Sequence, residues 1–278
     1  MKEVLQNEYS VFYSNSKNGR RRLIQVPFPP LKEKQKELIK LYEQFPLHNA
    51  CSCKKGSGPL DAAQPHFGSK FLLKVDISNC FQRVEIAKVR KVISNADINS
   101  SLKTQMLENL DVCFIHWNGK DILPTGSPTS PILCNISLSE IDYTINDIAL
   151  DNNYKYTRYM DDLNLSTTDE KRTWELIAII SNILAFAGYP TNIHKTRWYG
   201  RGDNDAKIVA GINLKTILKR DVKRMIRARL NNLAKSREPL DSKTQGYLAY
   251  IKSIDSSIYQ SLLQYYAKRI EYHLTLTS

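Results

Sequence analysis

The fold is indicated most directly by residues 154–166, YKYTRYMDDLNLS, which contain the adjacent acids Asp161 and Asp162. The alternating residues on either side of the acids are typical of two short strands joined by a turn. Two carboxylates in one tight turn repel each other, and a bound cation relieves that repulsion without protonating either of them. Their oxygens suit Mg²⁺. A solvated turn is the commoner explanation of an Asp-Asp pair, so the rest of the chain has to decide.

A third acid lies in a separate element. Residues 71–77, FLLKVDI, form a short apolar run that predicts a buried strand with Asp76 near its carboxyl end. A two-metal site for phosphoryl transfer needs acids from two elements that meet at a sheet edge, with ions about 3.5–4 Å apart. A strand, a long helix and an acidic hairpin can form such an edge, so we expect Asp76, Asp161 and Asp162 to converge.

Bulk composition restricts the partners and the compartment. The 278 residues carry 40 Lys and Arg against 28 Asp and Glu, and the net charge of +12 favours a polyanionic partner such as nucleic acid. The chain has no apolar run long enough for a membrane span and no signal-peptide core at its start, so we expect a cytoplasmic protein without membrane attachment. Five scattered cysteines fit free thiols in a reducing compartment.

The remaining periodicities predict a mixture of hairpins and helices around these acids. Turn residues and apolar stripes predict hairpins within 11–27 and 112–123, a strand over 207–214, and helices over 31–45, 85–111 in two pieces, 132–152 and 170–187, with a mostly helical, basic segment from 215 onward. Gly188 is expected to end the helix over 170–187 as a C-terminal cap.

Five segments, taken in order, resemble the polymerase palm of reverse transcriptases. They are residues 71–81 (FLLKVDISNCF), 124–131 (PTGSPTSP), 159–162 (YMDD), 188–196 (GYPTNIHKT) and 209–214 (VAGINL). Gly19, residues 22–27 (RLIQVP), 31–35 (LKEKQ) and 245–251 (QGYLAYI) resemble the fingers entry and the thumb helix of bacterial retron-type enzymes. Residues 62–66 (AAQPH) and 209–211 (VAG) resemble two further retron elements, with Ala62 in place of Asn and Ala210 in place of Thr.

This resemblance to retron-type reverse transcriptases implies an α+β fold, a right-hand polymerase with fingers, palm and thumb. It implies a palm built from an antiparallel sheet with helices on one face, and a helical thumb. The implied boundaries are 1–70 with 87–123 for the fingers, 71–86 with 124–214 for the palm, and 215–278 for the thumb.

The resemblance also implies the catalytic residues. Asp76, Asp161 and Asp162 match the family's acids, which hold two Mg²⁺ ions together with the carbonyl oxygen of Ile77. Lys195 matches a lysine proposed to protonate the leaving pyrophosphate, and a solvated surface lysine is its alternative explanation. Phe81 matches an aromatic residue that excludes the 2′-hydroxyl of a nucleotide, and a core residue is its alternative.

Substrate contacts follow from the same comparison. Thr125 and Gly126 match a segment beside the nascent base pair, where many relatives carry Gln at the first position. Lys17 and Arg22 are candidates for the triphosphate, since a guanidinium binds phosphate in a bidentate manner. The residues assigned to primer and template are Tyr159, Met160, Lys219, Arg220, Lys223, Arg224 and Arg227.

The thumb assignment has independent support from charge. Residues 215–237 contain nine cations and a single acid, Asp221, with apolar residues recurring between them. A helix with one apolar stripe and a dense cationic face suits a phosphate backbone that is bound without sequence readout.

The implied function is RNA-directed DNA synthesis from dNTP substrates. In a retron enzyme the template is a dedicated non-coding RNA, the product is single-stranded DNA attached to that RNA, and the assembly serves anti-phage defence with a separate effector protein. The alternatives are another bacterial defence or mobile-element reverse transcriptase, and an RNA-binding scaffold with incidental polymerase activity. Cys51 and Cys53, with His48 and His66, have the residue types of a zinc site but match no common zinc spacing.

Overall fold

The computed structural model describes residues 8–15, 21–169, 174–200, 207–215, 218 and 220–275, in two units, Met1–Asp205 and Ala206–Ser278. The predicted site residues Lys17 and Lys219 lie outside these ranges. The strands of the first unit are β1 (Tyr9–Asn15), β2 (Arg21–Pro27), β3 (Phe71–Asp76), β4 (Ile115–Trp117), β5 (Lys120–Ile122), β6 (Lys155–Tyr159), β7 (Asp162–Thr167) and β8 (Arg197–Tyr199). Its helices are α1 (Pro29–Tyr42), α2 (Pro59–Ala63), α3 (Cys80–Arg83), α4 (Ile86–Asn95), α5 (Ser100–Glu108), α6 (Ser130–Ser137), α7 (Ser139–Asp151) and α8 (Trp174–Phe186).

The centre of the first unit is a four-stranded antiparallel sheet with the strand order β6-β7-β3-β8. Directly paired residues project to the same face, so one face carries Thr157, Asn164 and Lys74 in a row. The opposite face carries apolar residues such as Leu163 and Leu73, which are fully buried in the main core with side chains of α6, α7 and α8. The sheet therefore has one apolar, helix-covered face and one polar face, as an antiparallel palm requires.

The predicted helix over 132–152 is two helices, and this expectation was wrong in that respect. Helix α6 ends at Ser137 and α7 begins at Ser139, with Leu138 between them at a ψ of −2°. Both flanking serines are buried, and the Ser137 hydroxyl bonds the hydroxyl of Tyr189. Ser137, Leu138 and Ser139 are all buried, so the interruption lies within the packed core.

Residues 207–214 form a tight hairpin instead of the single predicted strand. Strand β9 (Ile208–Val209) pairs antiparallel with β10 (Ile212–Asn213). The two turn residues between them, Ala210 and Gly211, have φ values of +46° and +85°. Positive φ at both central residues is the geometry of a two-residue hairpin turn, and glycine supplies one of them without steric cost.

The second unit continues with three helices, α9 (Arg220–Ser236), α10 (Ser242–Ile254) and α11 (Ser256–Thr275). They share a small core that includes Ile226, Leu230, Leu248 and Leu262. Asp241 caps α10 by accepting a hydrogen bond from the Thr244 amide at 2.6 Å. No helix among the described residues is both long and apolar enough to cross a lipid bilayer.

Candidate active site

The three predicted acids lie at one end of the central sheet. Asp76, the last residue of β3, is paired directly with Asp162, the first residue of β7. Asp161 lies in the turn just before β7, and its carbonyl oxygen accepts a hydrogen bond from the Ile77 amide at 3.1 Å. The β3–β7 pairing therefore brings Asp76 close to acids that follow it by 85 and 86 residues in the chain. Asp76 is 6% exposed, so its charge is costly unless it has a partner.

Two lysines supply positive charge to these acids. The ammonium of Lys195 lies 2.7 Å from Asp76 Oδ1, and that of Lys74 lies 3.7 Å from Asp162 Oδ2. The charge of Asp161 is less well compensated than those of Asp76 and Asp162. Burial, followed by the charges of Asp162 and Asp76, raises the pKa of its carboxyl group. The site as it stands favours a further cation close to Asp161.

Asp76 and Asp162 border a cleft of about 330 Å³ that carries charges of both signs. Its walls are formed by Lys74, Asp76, Asp162, His194, Lys195, Arg197 and Tyr199. Such a lining suits a ligand that brings both anionic groups and a cation. Sequence analysis missed Lys74 and Arg197, although Lys74 stands two residues before Asp76 and so projects to the same face of β3.

The donor set fits a hard divalent cation, because carboxylate oxygens are what such ions prefer. The observation that favours one is the burial of Asp161 beside Asp162 and Asp76, which together raise the pKa of its carboxyl group. Within the described residues, however, no three Asp, Glu, His or Cys side chains converge closely enough to hold a single ion. The lysine contacts of Asp76 and Asp162 would therefore have to loosen when an ion binds. A ligand role for the Ile77 carbonyl stays a prediction.

The predicted nucleotide segment is tied to the N-terminal hairpin. Thr125 donates its hydroxyl hydrogen to the Leu23 carbonyl at 2.7 Å, and the Gly126 amide donates to the Gln25 carbonyl at 3.0 Å. Arg22 is exposed on the same strand, β2. Strand β2 thus connects three of the four described residues assigned to the nucleotide, and the fourth, Phe81, lies on α3. Phe81 is half-buried and packs against the main core, so part of the residue remains exposed.

We expect Gly126→Ala to destabilise this junction. A Cβ at position 126 would lie 2.7 Å from the Gln25 carbonyl oxygen and 2.8 Å from Val26 Cγ2, and the first of these atoms belongs to the backbone. Strand β2 would have to move, at a cost of about 1–3 kcal/mol. Chemical denaturation measures the change. Gly246→Ala is the matched control, because nothing lies within 4 Å of its added Cβ and alanine favours the interior of α10.

His66 has a structural role in the retron-like segment. Its ring is fully buried, with Nδ1 2.7 Å from the Ser166 hydroxyl and Nε2 2.7 Å from the Thr157 hydroxyl. Thr157 donates to the Ala62 carbonyl, so it accepts from His66, and the ring proton lies on Nε2. Both nitrogens are therefore engaged, which removes His66 from the zinc set considered above. The ring fastens the loop at 62–66 to strands β6 and β7.

The buried ring predicts a pH dependence of stability. Burial, with a smaller contribution from the Lys155 cation, lowers the pKa of His66 from 6.5 to about 4. The folded state thus binds fewer protons than the unfolded state between these values, so this contribution is full above pH 6.5 and is lost as the pH falls toward 4. The loss is about 3 kcal/mol. Urea unfolding of the parent and of His66→Gln between pH 4 and 7.5 measures it, and equal slopes would contradict it.

The predicted primer and template residues fall in two places. Tyr159 and Met160 belong to the acidic hairpin of the first unit, and the thumb cations lie on α9 of the second. Arg220, Arg224 and Arg227 are exposed, whereas Lys223 is half-buried. Arg227 lies over the Tyr265 ring at 5.3 Å, so one cation of this set is held in place by an aromatic face.

Comparison with known proteins gives one family model and several relatives. The model described as reverse transcriptase (RNA-dependent DNA polymerase) matches residues 14–204. The retron Mx65 reverse transcriptase of Myxococcus xanthus is 29% identical over 264 residues, which cover 89% of this chain and 61% of the relative. The retron Ec86 reverse transcriptase of Escherichia coli is 28% identical over 212 residues, which cover 75% of this chain and 63% of that relative. The chain thus spans about three-fifths of the length of these relatives.

Two solved structures support the fold alone. A telomerase from Candida tropicalis, in complex with a fragment of telomeric RNA, superposes with a TM-score of 0.55 at 12% identity, over 97% of this chain and 54% of that one. The apo form of the telomerase superposes with a TM-score of 0.52 at 12% identity, over 94% and 61%. The expected right-hand polymerase fold is confirmed, as is the resemblance to retron-type enzymes.

Proposed function

The chain belongs to the reverse transcriptase family, and from that premise we propose that it is an RNA-directed DNA polymerase of the retron type. The observation that carries the proposal is the direct pairing of Asp76 with Asp162, with Asp161 in the adjoining turn. A module that only binds RNA has no use for three carboxylates at one end of the central sheet, where burial and the charges of Asp162 and Asp76 raise the pKa of Asp161. A polymerase needs them for the metal ions of nucleotidyl transfer.

The proposed cofactor is a pair of Mg²⁺ ions held by Asp76 and Asp161, with Asp162 and the Ile77 carbonyl nearby. When bound, such ions activate the attacking hydroxyl and stabilise the leaving oxygen. The chain's own contribution is to hold the carboxylates at one end of the central sheet, to balance them with Lys74 and Lys195 before substrate arrives, and to release those lysines for phosphate oxygens. Lys195, 2.7 Å from Asp76, is proposed to protonate the pyrophosphate.

The remaining roles concern the substrate. Phe81 is proposed to exclude ribonucleotides, and Thr125 and Gly126 to line the nascent base pair. Arg22 and Lys17 are proposed to bind the triphosphate. Tyr159 and Met160 are assigned to the primer end, and the cations of α9, with Lys219, to the nucleic acid backbone. We propose the fingers, palm and thumb boundaries given above as the division of these tasks.

The proposed template is a structured non-coding RNA, copied in the cytoplasm into single-stranded DNA that stays joined to it. The net charge of +12 supports a polyanionic partner such as RNA. Priming from a 2′-hydroxyl of that RNA, and a separate effector protein that serves anti-phage defence, complete the proposal for a retron enzyme.

Sequencing the nucleic acid that co-purifies with the protein tests this proposal. The expected result is a branched RNA–DNA species whose DNA is complementary to the attached RNA. Unbranched complementary DNA would replace the retron assignment with another bacterial reverse transcriptase. RNA without any DNA, from cells and from reactions supplied with dNTPs and Mg²⁺, would leave only the RNA-binding scaffold.

A further inference from the structure

Arg158, in the strand that leads into the acidic turn, is a charged side chain that is only 1% exposed. Asp142 of α7, fully buried, receives two of its donors, Nε at 2.8 Å and Nη2 at 2.6 Å. The Tyr156 hydroxyl donates to the same carboxylate at 2.7 Å. The guanidinium is therefore neutralised in a fixed, bidentate geometry on the helix-covered face of the sheet.

The remaining end of the guanidinium contacts the turn itself. Nη1 donates to Asn135 Oδ1 at 2.8 Å and to the Met160 carbonyl oxygen at 2.9 Å. That carbonyl belongs to the peptide that joins Met160 to Asp161. Met160 has a φ of +56°, a left-handed conformation that costs about 1–2 kcal/mol for a residue with a side chain. A charged donor on its carbonyl helps to hold this unfavourable conformation.

The peptide that follows Asp161 is held by Ile77, the residue directly after β3. The Ile77 amide donates to the Asp161 carbonyl at 3.1 Å, so Asp161 lies between two fixed carbonyl groups. The backbone of Arg158 is fixed as well, because its amide donates to the Ala50 carbonyl at 2.8 Å and its carbonyl accepts from the Ser52 amide at 2.9 Å. Hydrogen bonds thus fix both the backbone and the guanidinium of Arg158.

We propose that Arg158 is a positioning residue, whose anchored guanidinium holds the Met160 carbonyl and thereby fixes the turn that presents Asp161. The proposal rests on the proposed function, because the position of Asp161 matters only if it binds catalytic metal. A turn that is held before the metal arrives needs no ordering during binding, which lowers the metal concentration required. Asp142 and Asn135 contribute to this positioning because they accept hydrogen bonds from the guanidinium and fix it in place.

The test has to separate a loss of positioning from a loss of folding stability. It therefore needs a variant that removes the guanidinium and leaves no unpaired charge in the core. Replacing a buried ion pair by apolar residues of similar volume is often neutral or stabilising. We therefore choose the triple variant Tyr156→Phe, Asp142→Leu and Arg158→Met, which leaves no buried charge and removes a donor only from the Asn135 side-chain oxygen and the Met160 carbonyl. Its thermal midpoint is expected to stay near that of the parent.

Three measurements follow the turn in this variant. Amide exchange of a peptide spanning 159–163 is expected to accelerate about tenfold while that of β3 stays unchanged. Binding of Mn²⁺, titrated by electron paramagnetic resonance, is expected to weaken about tenfold, and primer extension to fall about 100-fold with a higher half-saturating Mg²⁺ concentration. Parent-like exchange and Mn²⁺ affinity in the triple variant would overturn the proposal.

Arg158→Lys is the second variant and decides the matter if the triple variant does not fold. A lysine keeps the charge opposite Asp142 but has no fork to reach Met160 at the same time. The same losses are expected, in smaller degree, and their absence overturns the proposal. Arg90→Lys, in the exposed pair with Asp111, is the matched control. A parent without DNA synthesis would refute the proposed function, whereas exchange and Mn²⁺ affinity would still decide the role of Arg158.

Discussion

Replacing Asp161 and Asp162 by asparagine is expected to lower Mg²⁺-dependent DNA synthesis at least about 1,000-fold, a loss of about 4 kcal/mol of transition-state stabilisation. Asparagine has the size of aspartate but no charge, so the turn keeps its shape while the metal ions lose their anionic ligands. Primer extension on an RNA template with radiolabelled dNTP measures the effect. Binding of the same RNA should stay within about twofold, because the acids contribute no attraction to phosphate.

The double replacement of Asp161 and Asp162, which lowers activity, should raise the stability of the folded protein. Burial and the charges of Asp162 and Asp76 raise the pKa of Asp161, so its ionised form destabilises the folded protein at neutral pH. Removing the charge is therefore expected to raise the thermal midpoint in buffer without divalent metal. Asp147→Asn, at an exposed position on α7, is the control for both measurements. Undiminished synthesis in the double variant would refute the assignment of the active site.

The central sheet and its acids were predictable because their patterns are local. Alternation around Asp161 and Asp162 identifies two strands and a turn, and the run that ends at Asp76 identifies a third strand. The charge balance at the site was not predictable in the same way. Lys74 reaches Asp162 only because β3 and β7 pair in one particular register, and sequence periodicity does not fix the register between distant strands.

Other features depend on tertiary contacts that no local pattern records. The interruption of the predicted helix at Leu138 lies between serines whose burial is set by the rest of the core. His66 was recognised as part of a retron-like segment, whereas its function as a buried link to Ser166 follows from strands about 100 residues away. A charged residue in a strand, such as Arg158, is expected to face solvent. Its burial follows only from the contact with Asp142 of α7.

The choice of sugar provides the second large effect. Phe81→Val is expected to increase incorporation of ribonucleotides relative to deoxyribonucleotides about 100-fold, measured as the ratio of kcat/KM for GTP and dGTP opposite cytosine in the RNA template. Phe81 lies on α3, five residues after Asp76 in the chain, and is half-buried. Its side chain is therefore proposed to border the nucleotide. Valine is smaller by most of the ring, which opens space for a 2′-hydroxyl.

The competing explanation is that Phe81 only packs against the core. In that case the loss of buried apolar surface would destabilise Phe81→Val by about 1–2 kcal/mol and leave the sugar preference unchanged. Because the preference is a ratio measured on one enzyme preparation, a smaller folded fraction cancels from it. Phe81→Tyr keeps the ring and should keep the preference for dGTP, while an unchanged ratio in Phe81→Val would assign the ring to packing alone.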